Sequence, residues 1–291
     1  MRQQLKTITL AAVLLLSFDA CRTIPIAASR TVAIDMPRAD NMALGNPSNA
    51  SANTPDNYLL VKPQYTISYS RSRGIANWVS WHLNQSWKGD ARRVDAFRPD
   101  PALPSDWYAR TGGPARTGDY TNTGFDRGHL CPSDDRDANA GDNAATFLLT
   151  NIVPQAPRHN REVWKNLEEY ERQLINDGSD VYIIAGTSGT GGNGQNGYAT
   201  TLANGKLTVP ATLYKIIVVV PRGSGDTFQL TPNTRIIAVN IPNVQTAADK
   251  PWRAYLTTVD ALEQLTGYDF LSNIPTDLQQ LIESRVDGNN S

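Results

Sequence analysis

Three β-branched runs in the second half of the chain constrain its fold more than any other feature. They are VYIIAG, LYKIIVVV and RIIAVNIP, and turn residues separate them. The segment KLTVP lies between the first two and follows Asn204-Gly205, a pair that favours tight hairpins. Because β-branched residues fit pleated strands and short breaks join antiparallel neighbours, the pattern predicts an antiparallel sheet.

Further strands and three helices accompany these runs. The aromatic-rich segments YLLV, YTISYS and NWVSWHLN alternate partially and predict more antiparallel strands. Helical periodicity occurs in NREVWKNLEEYERQLIND, which Gly178 ends, in TVDALEQLTG, and in TDLQQLIESRV, where Thr276 is the expected cap before Asp277. Repeats and interior linkers are lacking. The sequence predicts one α+β domain over residues 58–291, with a central, mainly antiparallel sheet and flanking helices.

The first 28 residues have the features of a secretory signal peptide. A short basic start precedes TITLAAVLLLSF, which is too short to span a bilayer, and cleavage is expected near Ala28. Lipid attachment at Cys21 is the alternative, although Phe18 and Asp19 fit poorly just ahead of a lipidated cysteine. We favour ordinary export, to a secreted or periplasmic location.

Residues 29–57 contain NMALGNPSNASANTPDN, a polar run of small residues that predicts a flexible N-terminal segment.

No later stretch is apolar enough for a transmembrane helix. Charged residues at 19% and hydrophobic residues at 40% are typical of a globular domain. Since the net charge is −1, a polyanion would have to be held by a local basic cluster.

The stretch GTGGNG, Gly189 to Gly194, matches a dinucleotide-binding pattern. Such a site needs a helix directly after the glycines, whereas hairpin-forming residues follow here. We therefore interpret GTGGNG as a flexible hairpin tip at the surface.

The segment TGFDRGHLCPSDDR, residues 123–136, places His129 in a turn crowded with charge. The tetrapeptide DRGH by itself suits a structural histidine bonded to Asp126 as well as a catalytic one. The other two histidines are His82, which we interpret as structural, and His159. Cys131 is interpreted as a small, half-buried loop residue rather than a nucleophile.

The segment PQAPRHNREVWKNLEEYERQL supplies a second group of polar residues. It predicts an amphipathic helix from near Asn160, on which Glu168 and Arg172 share a face with Asn160 on roughly the same side. An amide oxygen beside a carboxylate suits a hard cation such as Mg²⁺ or Mn²⁺. Three scattered histidines without paired cysteines do not suit zinc.

DRGH, followed by Asn160 and a helix carrying Glu168 and Arg172, resembles the DNA/RNA non-specific endonucleases with a ββα-metal active site. The similarity runs from about Leu44 to the C-terminus. It includes the segments ANWVSWHLN, FRPDPALP, DNAATFLLTN and LTGYDFLSNIP.

The resemblance implies roles around one divalent cation per site. His129 corresponds to the general base, and Asp126 or a backbone carbonyl is expected to hold its other ring nitrogen. Asn160 corresponds to the direct metal ligand. Glu168 and Asp126 correspond to groups that act on the metal through water.

The resemblance also assigns three arginines. Arg98 corresponds to the arginine that contacts the reacting phosphate, Arg172 to a further arginine on the metal helix, and Arg127 to a supporting residue. Arg158 and His159 depart from the family pattern and are expected to add positive charge next to the metal helix.

The implied function is an exported, metal-dependent endonuclease that uses Mg²⁺ or Mn²⁺. It would cut single- and double-stranded DNA and RNA with little sequence specificity, because phosphate contacts carry no sequence information. A protein inhibitor in the host is a further candidate partner. The alternatives are a narrower phosphodiesterase of the same fold and a catalytically silent nucleic-acid-binding protein, and the presence of His129, Asn160 and Glu168 disfavours the silent binder.

Overall fold

The computed structural model describes residues 33–108 and 114–288; the predicted signal peptide lies outside these ranges and stays a prediction. The strands are β1 Ile34–Pro37, β2 Tyr58–Val61, β3 Thr66–Ser70, β4 Ile75–Leu83, β5 Asp126–His129, β6 Ile152–Gln155, β7 Ser179–Ser188, β8 Gly192–Gly194, β9 Gly197–Ala199, β10 Thr201–Leu202, β11 Leu207–Thr208, β12 Thr212–Pro221, β13 Thr227–Leu230, β14 Arg235–Pro242 and β15 Leu256–Thr257. The α-helices are α1 Ser105–Tyr108, α2 Ala140–Thr146, α3 Lys165–Asn176, α4 Val259–Thr266 and α5 Thr276–Ile282, and a π-helical segment at His159–Trp164 leads into α3. None of the helices in the described ranges is both long and apolar enough to cross a membrane.

A seven-stranded sheet in the order β15-β14-β12-β7-β4-β3-β2 forms the centre of the protein. Every neighbouring pair in it is antiparallel, as the β-branched runs and their short breaks predict. Asn204 and Gly205 have φ angles of +56° and +85° and turn the chain between β10 and β11. The predicted α+β class is confirmed.

Both faces of the sheet are covered, which explains why β12 is almost continuously apolar. Leu213 and Ile217 belong to one buried cluster together with Trp164 and residues of β6 and α3. Tyr214 and Ile216, which point the other way because side chains alternate along a strand, belong to a second cluster with residues of β1, β13, α4 and α5. The DRGH strand and the predicted metal helix therefore lie on one face of the sheet, with α4 and α5 on the other.

The prediction of a flexible segment over residues 29–57 is wrong for residues 34–57. β1 pairs with β13, and Leu44 is only 1% exposed. The Asn46 side chain bonds both the N–H and the carbonyl of Ala50. The polar residues of this segment thus satisfy its backbone, while the sparse apolar residues are buried. The folded region consequently starts before residue 58.

Glycines shape two other predicted features. Gly178, with φ of +97°, follows the end of α3 as expected. GTGGNG continues into the β8–β9 hairpin, as the hairpin-forming residues after the glycines predict. It is not a free tip, however, because a Cβ on Gly194 would lie 2.6 Å from the Gly124 carbonyl oxygen. At α5 the cap is Pro275, and Thr276 is the first helical residue.

Candidate active site

An antiparallel hairpin followed by a helix holds the candidate site. β5, which is the DRGH segment, pairs with β6, and the π-helical segment and α3 follow. Gly128 lies against Gln155, where a Cβ would come within 1.7 Å of the Oε1 atom. A glycine is therefore required for this close approach. Leu130 and Val153 anchor the hairpin in the same buried cluster as α3.

The predicted site residues His129, Asn160, Glu168 and Arg172 line one cavity of about 380 Å³. The rest of its wall is formed by Arg93, Pro132, Ser133, Asp134, Arg161 and Lys165. His129 and Arg172, which are 43 positions apart in the sequence, thus line the same cavity. A neighbouring cavity of about 540 Å³ shares Arg93 and Arg161 and is also lined by Asp126 and Arg127.

Asp126 orients Asn160 rather than His129. Its carboxylate accepts a hydrogen bond from Asn160 Nδ2 at 2.9 Å. It also accepts two from Arg161, at 2.8 and 2.7 Å. Because the amide nitrogen of Asn160 is engaged in this way, its amide oxygen is the atom left to face the cavity. Of the two groups expected to hold the other ring nitrogen of His129, Asp126 is thus engaged elsewhere, and a backbone carbonyl stays a prediction.

His129 packs against two aromatic rings, which also contact each other, and is 8% exposed. The ring centroid of Phe97 lies 5.5 Å from that of the imidazole, and the centroid of Phe147 lies 4.9 Å away. Burial, together with the positive charges of Arg93 and Arg127, lowers the pKa of His129 to about 3. The imidazole is therefore neutral at ordinary pH and able to accept a proton.

An arginine stacks on each of these aromatic rings. Arg127 Cζ lies 4.2 Å from the Phe97 centroid, and Arg93 Cζ lies 4.8 Å from the Phe147 centroid. Arg93 also donates to Ser133 Oγ at 2.9 Å. Each of the two rings that contact His129 thus carries a guanidinium group. Arg93 was missed in the sequence, where nothing distinguishes it from the other basic residues of DARRVDAFRPD.

Arg98 is the one predicted site residue whose side chain lines neither of these two cavities. Its Nη1 donates to the Ala144 carbonyl at 2.8 Å. Its backbone N–H and carbonyl pair with Phe147 and Leu149. The contact between Arg98 and a phosphate thus stays a prediction. Arg93, unlike Arg98, lines both cavities.

Glu168 and Asn160 offer the cavity a carboxylate and an amide oxygen. Burial raises the pKa of Glu168 to about 8; Lys215 opposes this shift and Glu171 adds to it. Arg172, which donates to Asp135 Oδ1 at 3.2 Å, is fixed beside it. Two hard oxygen donors fit a hard divalent cation. A bound cation would also favour the charged form of the Glu168 carboxyl.

The prediction that Arg158 and His159 both add positive charge next to the metal helix is wrong for His159, and the charge of Arg158 is paired. His159 is fully buried, bonds Gln155 and stacks on Trp164 in the core. Burial lowers its pKa to about 3, so it is neutral. Arg158 forms ion pairs with Glu162 at 3.0 Å and with Asp249 at 2.7 Å, which offset its charge.

Cys131 and His82 have the structural roles that the sequence indicates. Cys131 is fully rather than half buried, and burial raises the pKa of its thiol, which disfavours the nucleophilic thiolate. His82 is 5% exposed and accepts a hydrogen bond from Trp87 Nε1 at 3.2 Å.

Comparison with known proteins identifies consistent relatives. A model of the DNA/RNA non-specific endonuclease family matches residues 43–277. A nuclease of Nostoc sp. is 49% identical over 249 residues, which cover 85% of this chain and 86% of that protein. Human mitochondrial endonuclease G is 30% identical, over 73% of this chain and 69% of that protein. The crystal structure of an EndoG/EndoGI complex superimposes with a TM-score of 0.64 at 23% identity, covering 80% of this chain and 91% of that chain.

Proposed function

The chain belongs to the DNA/RNA non-specific endonuclease family, and from this premise we propose that its phosphodiester hydrolysis takes place in the cavity at His129. The protein is an endonuclease, and its family is metal-dependent. The observation that carries the assignment of the site is the convergence of His129, Asn160, Glu168 and Arg172 on one cavity. A pure nucleic-acid binder has no need of this combination.

His129 is the proposed general base. Hydrolysis needs a group that removes a proton from the attacking water, and a neutral imidazole can do so. In the free protein Arg93 and Arg127 help to hold its pKa near 3. A phosphodiester lying against these two guanidinium groups would offset their charges and raise the pKa of His129 toward neutrality. Substrate binding thus strengthens the base.

Asn160 and Glu168 are the proposed holders of one Mg²⁺ or Mn²⁺ ion. Asn160 would present its amide oxygen directly, whereas Glu168 would act through water. Asp126 keeps the amide in the required orientation through its 2.9 Å hydrogen bond. When bound, the cation supplies positive charge for the phosphate oxygens as a Lewis acid.

The proposed substrates are single- and double-stranded DNA and RNA. The two adjoining cavities present the guanidinium groups of Arg93, Arg127 and Arg161, which suit phosphate rather than base edges. Asp126 already pairs with Arg161, so Arg93 and Arg127 are the main candidates for substrate contacts. Recognition of the sugar-phosphate backbone explains broad specificity.

Export through a signal peptide at residues 1–28 is also proposed, with lipid attachment at Cys21 as the alternative. A protein inhibitor in the host is a further proposed partner, since one structural neighbour was solved as a complex of EndoG with EndoGI. Such an inhibitor would carry acidic groups, because the two adjoining cavities are lined by arginines.

Plasmid DNA and RNA tested with Mg²⁺, Mn²⁺ or a chelator provide the decisive experiment. We expect both polymers to be cut when the metal is present, and the chelator should abolish cutting. His129→Ala should lower turnover by about 100- to 10,000-fold, with DNA affinity nearly kept. Near-normal cleavage by the variant would refute the assignment of the base. Hydrolysis of a small aryl phosphodiester without plasmid cleavage would instead indicate the narrower phosphodiesterase.

A further inference from the structure

Three carboxylates converge on the face of the sheet opposite the His129 cavity. Asp260 and Glu263 belong to α4, and Glu283 directly follows α5. One carboxylate oxygen from each residue lies within 4.8 Å of the other two. The carbonyl of Glu283 accepts hydrogen bonds from the N–H groups of Val259 at 2.9 Å and Asp260 at 3.3 Å. These bonds fix the end of α5 against the first turn of α4.

Glu283 carries a buried acceptor that has no partner. The residue is 5% exposed, and its Oε1 atom is fully buried without a hydrogen bond from any described residue. An ionised carboxylate without a partner is strongly unfavourable in such a place. A proton or a cation at this oxygen would compensate for the missing partner.

The surroundings of Glu283 are acidic. Burial raises its pKa to about 8, and the negative charges of Glu263, Asp260 and Asp269 add to this effect. Glu263 is itself held in position, because its Oε1 accepts the N–H of Phe270 at 2.7 Å. The repulsion between these groups would be relieved by a bound cation.

We propose that Asp260, Glu263 and Glu283 form a second divalent-cation site, suited to Ca²⁺, that ties α4 to the end of α5. Ca²⁺ takes six to eight oxygen ligands in flexible geometry, and carboxylates with water are its usual ligands. Glu283 lies at the buried end of the site and Asp260 at the exposed end, where water can complete the coordination. The site is independent of the proposed chemistry at His129.

Calorimetric Ca²⁺ titration and thermal unfolding of the purified protein, each with Ca²⁺ or chelator, test this site. The variants are Glu283→Gln, which keeps the shape but removes the charge, and Asp260→Asn at the exposed end. Asp277→Asn is the matched control, because Asp277 is an exposed acidic residue on α5 outside the cluster. Asn160→Ala shows whether Ca²⁺ also binds at the His129 cavity.

Ca²⁺ at about 100 times Kd should raise the Tm of the wild type, Asp277→Asn and Asn160→Ala by about 5 °C. Glu283→Gln should lose this shift, and in chelator it should melt above the wild type because repulsion is relieved. Asp260→Asn should bind Ca²⁺ about 10-fold more weakly and keeps the test usable if Glu283→Gln does not fold.

An equal Ca²⁺-induced shift in Glu283→Gln and the wild type would overturn the proposal. It would also be overturned if Asn160→Ala abolished all Ca²⁺ binding. A proton shared by Glu283 and Glu263 would give a Tm that rises as pH falls below 8 and does not respond to Ca²⁺, and this result would reject the cation site too.

Discussion

The side chains around His129 affect both the pKa of the proposed base and the proposed binding of the phosphate. Phe97 and Phe147 exclude water from the imidazole, and Arg127 and Arg93 stack on these two rings. The arginines disfavour a protonated imidazole in the free protein, so the imidazole is neutral before substrate binds and becomes a stronger base only when a bound phosphate offsets their charges. They are also positioned to contact the phosphate whose hydrolysis the base would assist.

Arg93→Ala and Arg98→Ala form a matched pair of arginine variants at this scale. Arg93→Ala should lower kcat/KM for DNA by about 10- to 100-fold, because a guanidinium at the cavity is lost. Arg98→Ala tests the remaining prediction that Arg98 contacts the reacting phosphate: with that contact kcat/KM should fall to a similar extent, whereas a side chain that stays bonded to the Ala144 carbonyl predicts a change of less than about 3-fold.

The pH profile of kcat/KM gives a second readout of Arg93. Removing a positive charge near His129 raises its pKa, so the acid limb should move to higher pH in Arg93→Ala and stay in place in Arg98→Ala. A larger loss of activity in Arg98→Ala than in Arg93→Ala would show that Arg98 turns toward the substrate on binding.

Asn160→Ala and Glu168→Gln should separate the two proposed metal roles. Removing the amide oxygen of Asn160 takes away a direct ligand, so much more metal should be needed and cutting should stay slow at saturation. Glu168→Gln keeps the shape and removes charge, so the affinity should fall by about 10- to 100-fold. Metal titrations of activity and binding measure both effects. If Glu168→Gln alone abolished binding, the roles would be reversed.

Among the secondary-structure elements, the π-helical segment decides which side chains reach the cavity. The sequence predicts an ordinary helix from near Asn160, whereas residues 159–164 form a π-helix before α3 begins. Asn160 lines the cavity, while its neighbour His159 is buried against Trp164. The regular 3.6-residue spacing of apolar residues in the sequence cannot indicate a π-helix, because the contacts of His159 and Trp164 in the folded protein stabilise its wider turn.

His82, on strand β4, should make the free energy of unfolding depend on pH. Burial lowers the pKa of His82 to about 4 from 6.5, with contributions from the positive charges of Arg136 and Arg38. Between these pH values the unfolded chain binds the proton more readily than the folded one, so stability is lost as pH falls from 6.5 to 4. At about 1.4 kcal/mol per pKa unit, the loss is at most about 3 kcal/mol.

Denaturant unfolding of the wild type and His82→Gln at several pH values isolates this effect. The stability difference between the two proteins should shrink or reverse as pH falls from 6.5 to 4, since other groups titrate alike in both. A difference that stays constant over this range would mean that His82 is not kept neutral by the fold.

For the whole molecule, a net charge of −1 coexists with a local group of arginines at the two cavities. Binding of DNA should therefore depend on a few phosphate contacts rather than on a global field. We expect kcat/KM for plasmid to fall steeply as the salt concentration rises from about 50 to about 200 mM. It should depend little on target sequence.

The matched control for this salt dependence is a small aryl phosphodiester, whose hydrolysis should lose much less activity because it releases few counterions. A sharp, salt-resistant preference for one DNA sequence would contradict recognition of the backbone.

The sequence by itself determined the antiparallel sheet, the approximate positions of α3, α4 and α5, and a set of polar residues, His129, Asn160, Glu168 and Arg172, that line one cavity. These features depend on local chemistry: β-branched runs favour strands, Gly178 ends α3, and DRGH with Asn160 and Glu168 has a spacing that can be read directly. The tertiary structure alone decided the packing of residues 34–57, the presence of Arg93 at the cavity and the meeting of Glu283 with α4. Each of these depends on contacts between residues far apart in the chain, which no local pattern of residue types encodes.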